Sequence, residues 1–537
     1  MGDREFELKL QVPPEELQQV RMRVGSASSR RTRLQARYFD TPDGRLSAAG
    51  IALRIRREGL CWVQTLKVSV DGQIVNRIEH NVIRRGVAQP ELELDLHDGT
   101  PAGAHLRAAL TQDDASNPSD MVWAAGVSGL QELFRTDILR THREHRLKGG
   151  SVALALDEGM IVSGGHRWPV CELEIEHISG ATSVVFDLAE QWSDRYGLWI
   201  DTRSKAERGY RLCRARLGHS ISPDHPMMGA AISASTGLLA KPKAGVQPKQ
   251  EAAGVALNLQ QALVRPLLPA LLANASELAG CVGSDEHIHQ LRVSIRRLRS
   301  VRRLGDRWGP TWPEPVVNAI LGVFRRLGQQ RDVAVVDAEF AEHLRNAGCP
   351  VDRIAGHLHE NTECDLHILM RSRELQRAWI WLLRLSHEPQ PDVHLDAIVA
   401  LLNVRLERWS TEIVQMGRRF VHLQEPEQHE LRKRIKRLRY ALDSSAALGI
   451  PQVRLPRREF LEAISNAQAV LGHYCDLMSA RDLWQQACEG EPKAWFAVGW
   501  FSAEIQRGKP DVIRSLKRLG KVERRWRVAS GDASKAD

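Results

Sequence analysis

The stretch Glu5-Phe6-Glu7-Leu8-Lys9 decides the predicted fold of the first part of this chain. Because successive residues of a strand point to opposite faces of a sheet, a strand here places Glu5, Glu7 and Lys9 on one face. Two neighbouring carboxylates repel each other unless a cation lies between them, and a divalent metal ion is a suitable cation. The lysine adds a charge suited to phosphate. An exposed edge strand with mixed charges is the alternative interpretation.

The same alternation of charged and apolar residues recurs along the next 170 residues. It is found in Leu53-Arg54-Ile55-Arg56, in residues 63–67 and 153–157, in Arg77-Ile78-Glu79, and in Cys171-Glu172-Leu173-Glu174-Ile175-Glu176. Each segment alone is typical of a solvated strand face. Together they favour a closed antiparallel barrel whose charged faces point inward. An interior with opposing acidic and basic walls would bind an oligophosphate together with a metal ion.

Residues 3–216 resemble the CYTH family of triphosphate tunnel metalloenzymes. The resemblance rests on the ordered series above, on Tyr38-Phe39-Asp40-Thr41, and on Ser204-Lys205-Ala206-Glu207-Arg208-Gly209-Tyr210. It implies an eight-stranded antiparallel β-barrel, or tunnel, with surrounding helices. The implied activity is hydrolysis of triphosphates with Mg²⁺ or Mn²⁺.

The resemblance also implies roles for individual residues. The implied metal ligands are Glu5, Glu7, Asp157, Glu174 and Glu176. The implied phosphate-binding residues are Lys9, Arg54, Arg56, Lys67, Arg77, Arg140 and Lys205. The residues assigned directly to catalysis are Glu5, Glu7, Lys9, Lys67 and Asp157. The sequence leaves open whether His142 or Arg143 faces the tunnel, and whether Glu172 does so as a third acid.

Composition separates the chain into two halves. Residues 1–217 carry 30 basic and 30 acidic residues, so the net charge of +9 belongs entirely to the remainder of the 537 residues. An acidic ligand for the second half is the first inference. Eight scattered cysteines, with no Cys-x-x-Cys pair, indicate reduced thiols and a cytoplasmic protein. We find no apolar run of membrane-spanning length, no signal peptide, no phosphate-binding glycine loop and no nucleophile elbow.

The Gly-, Ser- and Pro-containing residues 218–250 are predicted to form a linker between residues 1–217 and a helical domain at 251–530. In this second half, apolar residues recur every three or four positions, which predicts helices. The segment from His289 to Arg299 is repeated from His429 to Arg439, and Leu327-Gly328 is repeated as Leu471-Gly472. Two related modules, at about 251–390 and 391–530, follow from this duplication.

Each repeated helix carries a stripe of basic residues at positions i, i+3, i+7 and i+10. The two stripes are His289, Arg292, Arg296 and Arg299, and His429, Arg432, Lys436 and Arg439. A linear array of cations repels itself, and an extended polyanion lying along it would relieve that repulsion. A solvated basic face on an ordinary bundle helix is the alternative.

Residues 255–525 resemble the CHAD domain, a family of paired four-helix bundles. The resemblance rests on the two histidine-led basic helices and the two Leu-Gly…Asp motifs, the first ending at Asp332 and the second at Asp476, and it implies that the basic stripes bind inorganic polyphosphate. The two aspartates would either orient the facing cations or cap turns, and a supporting role is expected for both instead of metal binding. The order of the two domains is similar to that of bacterial CYTH–CHAD inorganic triphosphatases.

The predicted fold is therefore a multi-domain α+β chain, with an N-terminal β-barrel and a C-terminal all-α pair of four-helix bundles. Hydrolysis of inorganic triphosphate, with polyphosphate bound by the helical half, is the favoured function. A non-catalytic polyphosphate scaffold and a nucleoside or thiamine triphosphatase are alternatives. Specific nucleic-acid binding is not expected, because the basic helices carry almost no aromatic residues for stacking on bases. Polyphosphate granules in the cytoplasm are one expected location, and no membrane partner is expected.

Overall fold

A computed structural model of the chain describes residues 6–26, 28–68, 78–85, 89–111, 129–216, 259–306, 310–351, 366–388, 395–450, 452–454, 456 and 458–532. Glu5, Arg77 and the predicted linker at 218–250 lie outside these described residues. The chain divides into two compact units. The first comprises residues 1–239, 268–291 and 366–388, and the second comprises residues 240–267, 292–365 and 389–537.

The first unit is built on a nine-stranded antiparallel sheet. Its strands are β1 (Glu7–Gln11), β2 (Arg30–Asp40), β3 (Ile51–Glu58), β4 (Cys61–Val68), β5 (Ile78–Arg84), β6 (Gln131–Leu147), β7 (Gly150–Ser163), β8 (His166–Gly180) and β9 (Trp199–Ile200). Their order in the sheet is β5-β4-β3-β2-β6-β7-β8-β1-β9. Strands β6, β7 and β8 form a three-stranded antiparallel meander. Its last strand, β8, carries Glu172, Glu174 and Glu176 and pairs with β1, which carries Glu7.

The prediction of a closed eight-stranded barrel is wrong in detail. The sheet has nine strands, and among the described residues its edge strands β5 and β9 do not pair with each other. The additional strand β9 is only two residues long, and it pairs with β1 through Leu10 and Gln11. The amide of Ile200 in β9 donates a hydrogen bond to the side chain of Gln376 instead of to another strand. A closed ladder is therefore replaced at this edge by side-chain hydrogen bonds.

Helices cover the apolar face of the sheet. They are α1 (Leu17–Val24), α2 (Arg45–Ala48), α3 (Pro101–Thr111) and α4 (Ser183–Tyr196). Leu53 and Leu66 on β3 and β4 pack with Leu46 of α2 and Leu106 of α3 in one core cluster. The alternation of the strands explains this packing, because these leucines are adjacent in sequence to the charged residues of the opposite face.

One further helix, α5 (Lys205–Arg216), packs on the charged face of the sheet. Tyr210 of α5 contacts the ring of Phe134 on β6, with ring centroids 5.2 Å apart. Gly209 permits this close approach, because a Cβ there would lie 2.1 Å from Cε2 of Phe134. The N-terminus of α5, at Lys205, is thereby placed over the charged residues of the strands.

The C-terminal half is helical, as predicted. Within the described residues its helices are α6 (Leu259–Val264), α7 (Leu268–Ala279), α8 (Asp285–Leu304), α9 (Glu314–Asn346), α10 (Leu366–Arg371), α11 (Arg373–His387), α12 (Leu395–Arg418), α13 (Glu425–Ala447), α14 (Arg458–Ala487) and α15 (Trp495–Asp532). In the second unit, α12, α13, α14 and α15 each pack against the next, and α15 packs against α12, which forms a four-helix bundle. Helices α7, α10 and α11 belong to the first unit, together with the sheet. The domain boundaries inferred from the sequence remain a prediction.

Candidate functional site

The register of the sheet places the predicted acidic residues next to one another. On β1 and β8, Glu7 lies opposite Glu176 and Lys9 lies opposite Glu174. Directly opposite residues of an antiparallel pair have their Cβ atoms about 4.5–5.5 Å apart on the same face. Two carboxylates, Glu7 and Glu176, therefore face each other across the strand pair, and a lysine separates this pair from the rest of the acidic segment.

A second group of charges lies where β6, β7 and β8 run side by side. The guanidinium of Arg140 donates two hydrogen bonds to Asp157, at 2.6 and 2.7 Å, and one to Glu174, at 2.5 Å. Nζ of Lys205, at the start of α5, lies 2.7 Å from Oδ2 of Asp157 and 3.0 Å from Oε1 of Glu174. Burial alone would raise the pKa of Glu174, but Arg140 and then Lys205 hold it well below its usual value.

The structure shows that Glu172 points into this group. Its carboxylate is fully buried and forms ion pairs with Lys205 and Arg208. Against the effect of burial, Arg208 and Lys205 lower the pKa of Glu172 to about 2. Glu172 therefore has two cationic partners in the protein itself.

The basic wall lies on strands β3 and β4. Arg54 and Arg56 point to the same face, and Nη1 of Arg54 lies 3.4 Å from the hydroxyl of Tyr38. Lys67 on β4 forms an ion pair with Glu79 on β5. Burial would raise the pKa of Glu79, but Lys67 and Arg54 lower it to about 2. This wall thus carries three cations, of which Arg56 is paired with Glu58 and Lys67 with Glu79.

The strand register places His142 and Arg143 on opposite faces of β6. His142 is two residues from Arg140 on β6 and shares its face, whereas Arg143 points to the opposite face. The neighbouring charges agree with this assignment. After burial, Arg140 is the main cause that lowers the pKa of His142, whereas Arg23 of α1 is the neighbouring charge that lowers the pKa of Arg143.

The two walls enclose a cavity of about 400 Å³. All the predicted residues that lie within the described part of the strands and α5 line it: Glu7, Lys9, Arg54, Arg56, Lys67, Arg140, Asp157, Glu174, Glu176 and Lys205. Burial lowers the pKa of Lys9 despite the opposing effect of Glu172. The structure therefore brings together, around one cavity, predicted residues that are up to 198 positions apart in the chain.

The donor set of this cavity fits a divalent metal ion at two places. Burial, Glu7 and then Glu174 raise the pKa of Glu176, so the Glu7–Glu176 pair holds negative charge that a cation would stabilise. Asp157, Glu172 and Glu174 each offer an oxygen within 4.8 Å of the others. This second group also has Arg140 and Lys205 as partners.

In the second unit, the basic residues of α8 and α13 influence one another. Burial, followed by the charges of Arg432 and Arg296, lowers the pKa of Lys436 to about 8. The guanidinium of Arg297 on α8 lies 5.8 Å from the ring centre of Tyr440 on α13. The two repeated helices therefore lie near each other, and their cations share one region.

The repeated Leu-Gly motif packs against the basic stripe in both copies. A Cβ on Gly328 of α9 would lie 2.7 Å from Nη1 of Arg292, and a Cβ on Gly472 of α14 would lie 3.9 Å from Arg432. Asp476, four residues after Gly472, accepts a hydrogen bond of 2.8 Å from Arg432. The side chain of Asp332, the equivalent residue of the first copy, lies outside the described part. In the second copy, therefore, the aspartate is hydrogen-bonded to a stripe cation.

Comparisons with known proteins agree with this arrangement. The CYTH domain family matches residues 3–210, and the CHAD domain family matches residues 262–485. The chain contains a CYTH domain followed by a CHAD domain. Over 212 residues it is 31% identical to an inorganic triphosphatase of Haemophilus influenzae, a match that covers 39% of this chain and 54% of the relative. The chain therefore spans about half the length of the curated relative that it matches.

Solved structures similar to the two domains were also found. The CHAD domain of the plant Ricinus communis is 22% identical, covers 52% of this chain and 97% of that chain, and has a TM-score of 0.39. A putative adenylyl cyclase from Hippeastrum, described as having a dominant triphosphatase activity, is 19% identical. That match covers 41% of this chain and 99% of that chain, with a TM-score of 0.27.

Several residues that line the cavity of the CYTH domain were not assigned roles from the sequence. Tyr38, Glu79 and Glu207 lie within segments that the sequence singled out, so the strand alternation and the helix start at Lys205 were the available signals. Glu277 and His287 also line the cavity, although they lie in the range matched by the CHAD domain. Nothing in the sequence indicated that Glu277 and His287 would line the cavity.

Within the described residues, no helix is both long and apolar enough to cross a membrane.

Proposed function

We propose that the CYTH domain hydrolyses inorganic triphosphate with Mg²⁺ or Mn²⁺, and that the CHAD domain binds inorganic polyphosphate. The observation that carries the first part is the cavity of about 400 Å³ with a basic wall and an acidic wall. A condensed phosphate chain needs cations along its length and, at the phosphorus that is attacked, a metal ion held by carboxylates. Both requirements have residues of the right chemistry on one face of the sheet.

The basic residues bind and orient the substrate in this proposal. Arg54 and Arg56 offer planar guanidinium groups to phosphate oxygens, which such groups bind in a bidentate manner. Lys67 and Arg140 flank them across the sheet. Because Arg140 and Lys205 already contact Asp157 and Glu174, their side chains are held in position before a substrate arrives. Preorganised cations of this kind stabilise charge without a reorganisation cost.

Glu7, Glu174 and Glu176, with Glu5 from the sequence-based prediction, are the proposed metal ligands. A divalent ion bound there would neutralise phosphate charge and lower the pKa of a bound water. Asp157 is fully buried and forms ion pairs with Arg140 and Lys205. We therefore propose that it holds these two cations in position and also belongs to the acidic cluster. No covalent intermediate with the protein is required.

The CHAD domain supports polyphosphate binding through Arg296, Arg432 and Lys436. Burial, and after it the charges of Arg432 and Arg296, lower the pKa of Lys436, so these three cations lie close enough to act on one another. Asp476 partly compensates Arg432, at 2.8 Å. A polyanion bound along the stripe would stabilise all three charges together. We extend this role to His289, Arg292, Arg299, His429 and Arg439 as a prediction from the sequence.

Release of orthophosphate tests the enzymatic part of the proposal. The full-length chain, with Mg²⁺, Mn²⁺ or a chelator, is given tripolyphosphate, ATP, thiamine triphosphate or long-chain polyphosphate. We expect metal-dependent release that is fastest with tripolyphosphate. Release from none of these substrates would refute the enzymatic function, and preferential release from ATP or thiamine triphosphate would replace the proposed substrate.

The acidic pair is tested by the variant Glu7→Gln/Glu176→Gln. Without both carboxylates, metal-dependent turnover of tripolyphosphate should fall by about 100-fold or more, since even indirect supports of a metal contribute about 10- to 100-fold. Binding of long-chain polyphosphate should remain that of the wild type, because the CHAD stripes are untouched. The matched control is Glu15→Gln, an exposed glutamate of the same domain. Loss of polyphosphate binding in the double variant would refute the division of roles between the domains.

A further inference from the structure

The outer edge of β9 is completed by side chains from the helices matched by the CHAD family. The amide of Ile200 donates to Oε1 of Gln376 on α11, at 2.9 Å, and the amide of Thr202 donates to Oγ of Ser276 on α7, at 3.1 Å. Nε2 of Gln376 in turn donates to the carbonyl of Met370, at 2.7 Å, which fixes the orientation of the amide. Ser276 and Gln376 are buried, so the backbone amides depend on them for hydrogen bonding.

The backbone that follows β9 leads directly to the phosphate-binding lysines. The carbonyl of Arg203 accepts a hydrogen bond from Nζ of Lys9. The guanidinium of Arg203 donates to both oxygens of Asp201, at 2.9 Å each. It also packs against Gly280, where a Cβ would lie 2.2 Å from Nη2. Residues 199–205 are therefore held between Lys9 on one side and the end of α7 on the other.

Helix α7 also holds α5, the helix that begins with Lys205. Glu277 of α7 accepts two hydrogen bonds from Arg211 of α5, at 2.7 and 2.6 Å. Arg211 makes a third hydrogen bond to Glu207 on its own helix, at 2.9 Å. Since Glu277 is buried, this is a specific contact and not a surface ion pair. The backbone before Lys205 and the helix after it are thus both attached to α7.

We propose that Ser276, Glu277 and Gln376 are positioning residues for phosphate binding by Lys9 and Lys205. Helices α7 and α11, which lie outside the CYTH match, would then be part of the hydrolytic apparatus. This inference rests on the proposed triphosphatase function and adds to it the helical residues on which substrate binding depends. A displacement of about 1 Å in a binding group can cost about 100-fold in rate, so loss of these hydrogen bonds should be measurable.

The test uses the full-length variant Ser276→Ala/Gln376→Met, which removes both hydrogen bonds to the β9 edge and keeps the size of the side chains similar. We expect KM for tripolyphosphate to rise by about fivefold or more, which is the effect of about one lost hydrogen bond. The Mg²⁺ concentration that gives half-maximal activity should stay that of the wild type, because Glu7 and Glu176 are not altered. A general loss of structure would change both quantities.

Two further variants keep the proposal falsifiable if the double variant does not fold. Glu277→Gln keeps the shape of the side chain but removes the charge opposite Arg211, and it should raise KM by about threefold. Gln376→Met, alone, removes the acceptor for the Ile200 amide but leaves Ser276 in place, and it should raise KM by less than the double variant does. The matched control is Arg377→Ala, which removes an exposed ion pair of α11 with Asp194 and should leave KM unchanged.

Failure of this inference can be distinguished from failure of the proposed function. If the wild type hydrolyses tripolyphosphate and the folded variants have its KM, only the positioning role is refuted. An equal rise of KM in Arg377→Ala would also refute it, since docking of α11 in general would be the cause. If the wild type releases no phosphate, the proposed function is refuted, and calorimetric Kd values for tripolyphosphate replace KM in the same comparison.

Discussion

In the CHAD domain, the charge of Lys436 depends on its surroundings. Burial, Arg432 and Arg296 lower its pKa to about 8, and Asp476 only partly opposes this. Burial raises the pKa of Cys475 to about 11, so this thiol remains neutral near pH 8. A bound polyanion would favour the charged ammonium, so binding and protonation of Lys436 are coupled.

We therefore expect the affinity for polyphosphate to fall as the pH rises through about 8. The free lysine loses its proton there, and binding must restore it, so the affinity decreases by at most tenfold for each further pH unit. Fluorescence anisotropy with a labelled polyphosphate, between pH 6.5 and 9.5, measures this.

Lys436→Arg is the matched control, because arginine remains charged throughout this range. Its affinity should be nearly constant above pH 7. The same decrease in affinity in Lys436→Arg would show that another group causes the pH dependence.

The repeated pairs of helices show why two short motifs recur together. In α8 and α9, Gly328 leaves room for the guanidinium of Arg292. In α13 and α14, Gly472 lies near Arg432, which is also held by Asp476. The glycine and the arginine of each copy are thus one packing unit contributed by two helices. This explains why the sequence repeats both at nearly the same spacing.

Gly328→Ala should weaken polyphosphate binding. The new Cβ would lie 2.7 Å from Nη1 of Arg292, so the guanidinium must move from its present position. We expect Kd to rise by about fivefold, as for the loss of one hydrogen bond to a charged group.

The control for this helix is Gly322→Ala, also on α9, where an added Cβ has no neighbour within 4 Å among the described residues. It should leave Kd unchanged and raise the stability of the helix by roughly 0.5–1 kcal/mol. If both variants weakened binding equally, glycine flexibility and not room for Arg292 would be the relevant property.

Charge is distributed unequally over the whole molecule. Residues 1–217 are balanced, and the remaining residues carry the entire net charge of +9. A net positive charge attracts any polyanion at low ionic strength, whether or not a specific stripe exists. The salt dependence of binding separates these two contributions.

In Arg296→Ala/Arg432→Ala, the slope of log Kd against log salt concentration should decrease by about two, since roughly one counterion is released for each phosphate contact. The matched control is Arg458→Ala, whose side chain is 92% exposed on α14. It removes one charge from the same unit but lies outside the stripe, and it should change the slope little. An equal change per removed charge in both variants would favour general attraction over a stripe-specific site.

Local geometry accounts for what could be inferred before the fold was known. Because strand residues alternate between two faces, the spacing of Glu7 and Lys9, of Arg54 and Arg56, and of Glu174 and Glu176 was sufficient to predict which side chains share a face. Helical spacing in the same way predicted the two basic stripes. These patterns depend on residues a few positions apart, so they can be read along the chain.

Long-range contacts account for the rest. The partners of Glu172, the open edge at β9 and the attachment of α7 and α11 to the sheet all join residues far apart in sequence: Ile200 and Gln376 are 176 positions apart. A buried carboxylate has the same sequence context whether it meets a metal ion or an arginine, and its partner depends on which elements pack together. Local stereochemistry therefore determined which side chains share a face of each strand. The ion pairs and the composition of the cavity wall depended instead on how the elements pack together.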